Sequence, residues 1–111
     1  LKRSQDFYLA ALQPIDYGIV SDFPQWQVVG LGAKQKADFW LIGDGSGKPT
    51  HIAFSAENRS LVDAFYAAAI KAGGKDNGKP GLRPEYHANY YGAFVLDPDG
   101  NNIEVVCHQP V

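Results

Sequence analysis

The sequence has no methionine and a single cysteine, Cys107. One cysteine excludes a disulfide within the chain, so the sequence favours a reducing, cytoplasmic compartment. Because the chain opens on Leu1 without a methionine, we expect the natural N-terminus, and any targeting segment, to lie upstream of it.

Long apolar runs and an excess of one charge are also missing. The 111 residues carry 10 basic and 12 acidic side chains, for a formal net charge of -2, and the basic residues do not cluster. No apolar run approaches the roughly 20 residues that cross a bilayer. Neither nucleic acid nor a membrane is therefore an expected partner. The length predicts one domain with a modest core.

The clearest structural pattern in the sequence lies near the end of the chain, where two apolar runs are joined by a turn. The first run is aromatic and β-branched, and Asp97, Pro98, Asp99 and Gly100 supply a tight turn, so a β-hairpin is predicted. Strand alternation places Glu104 on one side of the second run together with Val106 and His108, whereas Ile103, Val105 and Cys107 lie on the other. We expect Cys107 to be a core residue rather than a nucleophile.

A second strand and a helix precede this hairpin. Residues 50–56 read THIAFSA, in which His51 lies on the face opposite Ile52 and Phe54. Apolar residues then recur at spacings of three and four over residues 61–71, with Asn58 or Ser60 as the N-cap. The stretch 73–88 is rich in Gly, Pro and Asn and is predicted to be a loop with at most a short strand near residues 74–76.

An internal repeat relates the two halves of the chain. Residues 4–13 form a helical pattern that matches residues 61–71 at one constant offset of 58, and the pair Phe7-Tyr8 matches the pair Phe65-Tyr66. Three strand-like runs follow the first helix, at residues 17–20, 26–31 and 37–42. If the last strands of the two halves correspond, Trp40 stands where the second half has Glu104, and by the helix offset the counterpart of His51 would precede Leu1.

Two such halves, with His51 in the run HIAF and Glu104 after the turn DPDGN, resemble the vicinal oxygen chelate superfamily of glyoxalase I, bleomycin-resistance proteins and extradiol dioxygenases. The runs DFWL, GLRPEYHANYYGAF and IEVVCH are similar to those of its uncharacterised glyoxalase-like bacterial members. The resemblance implies an α+β fold of two βαβββ modules that form a curved mixed sheet around a cavity. Residues 1–43 would be the first module without its leading strand, 44–49 the linker and 50–111 the second module. It also implies a homodimer.

The resemblance further implies a metal site, because the family draws its ligands from the first and last strands of each module. His51 and Glu104 match the second module's ligand pair, with Glu104 also a candidate catalytic base, whereas Trp40 departs from the first module's carboxylate. Zn, Ni, Mn or Fe would suit such ligands. The implied function is a metal-dependent lyase, isomerase or dioxygenase. The alternative is a metal-free binder of small molecules, of the bleomycin-resistance kind, with Trp40 stacking on the ligand.

The residues themselves leave both site residues open to other interpretations. His51 is also compatible with a hydrogen-bonded residue of no catalytic role, and Glu104 with a solvated edge residue or the partner of an arginine. The stretch 81–91 adds Arg83 to bind a carboxylate, His87 as a replacement ligand or acid/base, and two phenols, Tyr90 and Tyr91, to line a substrate pocket. The alternative is a rigid loop whose aromatic side chains seal the core or a dimer contact.

Overall fold

The computed structural model describes residues 2–43 and 51–110, which form two helices, seven strands and two short 3₁₀ segments. Helix α1 spans Lys2–Ala11 and α2 spans Arg59–Lys71. The 3₁₀ segments are Gln13–Ile15 and Pro24–Trp26. The strands are β1 (Gly18–Phe23), β2 (Val28–Gly32), β3 (Phe39–Ile42), β4 (His51–Ser55), β5 (Lys75–Leu82), β6 (Tyr91–Leu96) and β7 (Asn102–Cys107).

The strands form two sheets that repeat one pattern. The first sheet is antiparallel in the order β1-β2-β3, and the second has the order β4-β7-β6-β5, with β4 parallel to β7. Within residues 2–43 and 51–110, no strand pairs with the second edge of β3, the position that corresponds to β4 in the second sheet. This is the predicted α+β architecture of two βαβββ modules, the first without its leading strand.

Helix α2 begins and ends at the residues that its sequence indicates. The side chain of Asn58 accepts a hydrogen bond from the backbone N–H of Leu61 at 2.9 Å, so Asn58 rather than Ser60 is the N-cap. Gly73 follows the helix with a φ of 102°, a conformation that glycine adopts without steric cost. The stripe of Val62, Phe65 and Ala69 is buried against the second sheet.

An aromatic chain joins the two modules through the core. Phe7, Tyr8 and Phe39 of the first module meet edge to face, and Phe39 then contacts Phe54 of β4 with ring centroids 5.1 Å apart. Each fully buried side chain of this size contributes about 1.5–3 kcal/mol. The core is therefore continuous across the modules, and Cys107 lies in it as predicted.

A buried carboxylate ties helix α1 to the last hairpin. Asp97 is only 6% exposed, and its Oδ1 accepts hydrogen bonds from the backbone N–H groups of Asp99 at 2.9 Å and Asn101 at 2.8 Å. Its Oδ2 accepts from the hydroxyl of Tyr8. Burial, and then the bond to Asp97, raises the pKa of the Tyr8 phenol well above its usual range. The predicted turn thus also serves as an anchor for the first module.

The structure corrects the sequence-based prediction most clearly after α2. The stretch predicted to be a loop contains the eight-residue strand β5, paired with β6 through an irregular register. As the edge strand of its sheet, β5 tolerates Pro80 and two glycines that would disrupt a central strand. Trp26 lies in a 3₁₀ turn rather than in a strand. The predicted linker, residues 44–49, lies outside the described residues. No helix in the described ranges is long and apolar enough to cross a bilayer.

We predict that Tyr8→Phe lowers the free energy of unfolding by about 1–3 kcal/mol, because buried Asp97 loses a hydrogen-bond donor. The difference in unfolding free energy between the wild type and Tyr8→Phe should shrink above about pH 10, by up to about 1.4 kcal/mol per pH unit. In that range the unfolded wild-type phenol ionises while the folded one stays protonated, so wild-type stability falls towards that of the variant. Urea denaturation at about pH 9 and about pH 11 measures both effects. Tyr66→Phe, which removes a phenol bonded to Asp76, is the control and should cost less, because Asp76 is exposed and water replaces the lost donor; equal effects of the two substitutions would contradict the prediction.

Candidate functional site

The candidate site lies on the face of the second sheet that points away from the helices, here named the site face. The register pairs Ala53 of β4 and Phe94 of β6 with Glu104 of β7, so these three side chains project to the same side. Ile103 and Val105 project to the other side, into the core against α2. Glu104 therefore lies on a central strand, with a neighbouring strand on each side.

Glu104 is buried and both of its carboxylate oxygens have partners. Its side chain is 2% exposed; Oε1 lies 3.0 Å from His51 Nε2, and Oε2 accepts a hydrogen bond from the hydroxyl of Tyr90. A Cβ at Gly92 would lie 3.3 Å from the Tyr90 ring and 3.4 Å from Oε2, so the glycine leaves room for this contact. Glu104 is thus neither a solvated edge residue nor the partner of an arginine.

The Tyr90 hydroxyl is a permanent donor to this carboxylate. Burial, followed by the hydrogen bond and the negative charge of Glu104, raises the pKa of Tyr90 above its usual range. The phenol consequently keeps its proton at neutral pH. The side chain of His51 is 52% exposed, whereas that of Glu104 is buried. The pair therefore connects the protein interior to its surface.

The His51–Glu104 pair also has a geometry that suits two ligands of one metal ion. Ligands about 2.0–2.2 Å from an ion and at right angles to each other are about 3 Å apart, and Nε2 and Oε1 are 3.0 Å apart. Imidazole and carboxylate are a donor set that Zn, Ni, Mn and Fe accept. Among residues 2–43 and 51–110, however, no three His, Cys, Asp or Glu side chains are grouped to hold a metal. The described residues therefore offer two possible ligands and no complete metal centre.

Three more aromatic groups pack around Tyr90. The rings of His87 and His108 meet it edge on, with centroids 5.4 Å and 5.3 Å away, and the Tyr86 ring lies at 4.7 Å. His87 Nδ1 accepts from the backbone N–H of Asn89 at 3.0 Å, so the neutral ring carries its proton on Nε2 and donates it to His108 Nδ1 at 2.8 Å. Neither nitrogen of His87 then has a free lone pair.

Trp40 provides a different kind of surface on the first sheet. It pairs with Gly30 across β2 and β3, and a Cβ at Gly30 would lie 2.7 Å from the indole, so the ring covers the glycine. Its side chain remains 45% exposed, and Ile42, on the same side of β3, is 63% exposed. The first sheet therefore presents an apolar surface where the second presents a carboxylate.

The structure brings together some of the residues predicted from the sequence and separates others. His51, Glu104 and Tyr90 form one hydrogen-bonded group on the site face, and Arg83 lies beside it over the Phe94 ring. Tyr91 does not join them, since its hydroxyl donates to Asp63 of α2 at 2.6 Å. His87 contacts Tyr90 and His108 rather than Glu104.

Sequence reasoning missed Phe94 and His108 as members of the site. The alternation along β7 does place His108 on the same side as Glu104, four residues later, so a signal existed. No comparable signal distinguished Phe94 from the other apolar residues of its strand.

The fold is that of a paired-module α+β protein, with a hydrogen-bonded His–Glu pair on the open face of one sheet. A family model for the Glyoxalase/Bleomycin resistance protein/Dioxygenase superfamily matches residues 20–105. The chain belongs to this superfamily. Among curated proteins none matches the sequence.

Solved structures agree with this assignment. A glyoxalase/bleomycin resistance protein from Albidiferax ferrireducens is 28% identical with a TM-score of 0.78, and the match covers 99% of this chain and 90% of that one. A lactoylglutathione lyase from Agrobacterium tumefaciens is 18% identical with a TM-score of 0.69, and the match covers 96% and 84% of the two chains. At this identity the second match shows the fold alone.

We predict that Glu104→Gln lowers the pKa of Tyr90, because the substitution removes the negative charge that opposes ionisation of the phenol. NMR of tyrosine labelled with ¹³C at Cζ measures the titration, with Tyr90→Phe assigning the signal. Asp63→Asn acts on Tyr91 at the other face and is the control. An unchanged Tyr90 titration in Glu104→Gln would contradict the assigned contact.

Proposed function

We propose that this chain is a glyoxalase-like enzyme that moves a proton on a small, oxygen-rich substrate at the His51–Glu104 pair, with a divalent metal as cofactor. One observation carries the proposal: Glu104 is buried on the site face with His51 and Tyr90 as its partners. A lyase, an isomerase or a dioxygenase would each use such a group. The reducing, cytoplasmic compartment favoured by the single cysteine belongs to the same proposal.

The energetics of Glu104 support a functional role. Removing a carboxylate from water destabilises the fold unless hydrogen bonds replace the lost hydration. An apolar residue on this strand would avoid that penalty, yet the chain keeps Glu104 and surrounds it with two donors. Buried ionisable groups maintained in this way are common at catalytic sites.

Each residue of the group has a separate task in the proposed reaction. Glu104 accepts a proton from the substrate, and Tyr90 holds the carboxylate in position through Oε2. His51, half exposed, exchanges that proton with solvent or binds the metal through Nε2. The bound metal would act as a Lewis acid on two neighbouring substrate oxygens. His87, which has no free lone pair, would only position Tyr90.

A homodimer is part of the proposal. His51 and Glu104 would supply two metal ligands, so water, substrate oxygens or a second copy would fill the other positions. The exposed apolar side chains of the first module, Trp26, Trp40 and Ile42, suit a surface that a second copy covers.

A metal-free binder is the second candidate function, and the Trp40 surface favours it. An indole that is half exposed above a glycine is a ready platform for a planar ligand. Trp40 also stands where the repeat would place a carboxylate ligand, which closes one position of a complete metal centre.

We predict that full-length protein purified without chelator or an affinity metal contains about one equivalent of a transition metal per chain. The metal should be lost in the His51→Ala, Glu104→Ala double variant, because both expected ligands are removed. Elemental analysis after gel filtration measures it, with circular dichroism to confirm that the variant is folded. Absence of metal from the wild type, even after incubation with Ni, Mn, Zn and Fe(II), would refute the metal-dependent proposal.

The binder makes a separate prediction. In a Trp26→Phe background, where Trp40 is the one remaining tryptophan, we expect 2-naphthol to quench the fluorescence in a saturable manner. Trp40→Leu should weaken binding about 3- to 10-fold, measured by calorimetry, because stacking is lost while apolar area remains. Equal affinity of the two forms would exclude Trp40 as the platform.

A further inference from the structure

Arg83 places a cation on the site face next to the proposed catalytic group. Its guanidinium carbon lies 5.5 Å from the centre of the Phe94 ring, and the His51 ring lies 6.1 Å from the same ring. Gly78 pairs with Phe94, and a Cβ there would meet both the Phe94 ring and Arg83 Nη2, at 2.9 Å and 3.2 Å. The guanidinium and Phe94 therefore share one side of the sheet.

Strand β5 is shaped to hold this guanidinium. A Cβ at Gly81 would lie 3.1 Å from Nη1, so both glycines beneath Arg83 leave it space. Nη2 donates to the carbonyl of Lys79 at 2.7 Å. The backbone of Arg83 is also fixed, since its N–H donates to the carbonyl of Tyr90 at 2.7 Å.

The charge of Arg83 has no carboxylate partner in the described part of the chain, where the ion pairs are Lys2–Asp6, Arg3–Asp99 and His51–Glu104. Glu104, the buried acid nearby, is already bonded to His51 and Tyr90. A guanidinium offers five N–H donors, and the contact with Lys79 uses one. Most of its hydrogen-bonding capacity is left for a ligand.

We propose that Arg83 is the anion-binding residue of this site and that the substrate is a carboxylic acid whose carboxylate lies one aromatic side chain away from its reacting oxygens. The planar guanidinium binds a carboxylate through two parallel hydrogen bonds, and the Phe94 ring separates this end from His51. Only the position of the substrate's reacting oxygens rests on the proposed function. The binding of its carboxylate depends on Arg83 alone.

Two probes that differ in charge test the proposal with the full chain. 4-Hydroxybenzoate carries a carboxylate across a ring from its hydroxyl, and 4-hydroxybenzamide replaces that carboxylate with a neutral amide. We expect the wild type to bind the benzoate about 10-fold more tightly, because charge-assisted hydrogen bonds are stronger than neutral ones. Arg83→Gln should remove this preference and leave the affinity for the amide unchanged. Calorimetry measures all four affinities.

Two further variants separate the geometry of Arg83 from its charge. Gly81→Ala keeps the charge but displaces the guanidinium, so it should reduce the preference for the benzoate. Arg59→Gln makes the same charge change at a guanidinium over Tyr91, on the opposite face, and should leave the preference intact. A preference that survives Arg83→Gln, or a wild type that binds both probes equally or neither, overturns the proposal.

The outcome is independent of the metal measurement. Glu104→Gln disables the proposed acid–base group but should retain the preference for the benzoate, because Arg83 is untouched. A preference that depends on Arg83 in a protein without metal would leave the anion site standing while the proposed function fails. A wild type that binds metal but does not prefer the benzoate would support the proposed function and overturn the anion site.

Discussion

A carboxylate buried in a protein must be given hydrogen-bond donors, and the second module meets this requirement twice around its last hairpin. Asp97, in the turn, accepts hydrogen bonds from the hydroxyl of Tyr8 and from two backbone N–H groups. Glu104, on the strand that follows, is hydrogen-bonded to Tyr90 and His51. The first carboxylate fastens helix α1 to the hairpin. The second, held by the same kind of phenol donor, lies on the site face, where we propose that it acts on the substrate.

The two modules share one arrangement of helix and strands but present different side chains on the corresponding face. Both have a helix with the aromatic pair Phe-Tyr and a sheet whose last strand turns one face away from the core. On that face β7 has Glu104, whereas β3 has Trp40 over a glycine. At this position one module therefore has a hydrogen-bonded carboxylate and the other has an apolar ring. The metal-dependent and ligand-binding proposals each rest on one of these two surfaces.

Much of the fold was predictable from sequence because the helices and the last hairpin have regular apolar periodicity and clear end signals such as Asn58 and Gly100. Strand β5 was not, since its glycines and Pro80 indicate a loop and only pairing with the edge of β6 makes it a strand. Strand alternation separates Tyr90 from Tyr91, although the sequence-based prediction assigned both of them to one substrate pocket. Their opposite faces follow from where β6 begins.

The sequence by itself determined the two-module plan, the strand positions of His51 and Glu104, and the side of β7 on which the carboxylate lies. The strand positions follow from local periodicity, which depends on residues close in the chain, whereas the two-module plan follows from the internal repeat and the family resemblance. The tertiary structure decided that Glu104 is buried, that His51 and Tyr90 are its partners, and that Arg83 remains unpaired by any carboxylate of the described chain. Those contacts join residues up to 53 positions apart, and only the packing of β4, β6 and β7 into one sheet sets their distances.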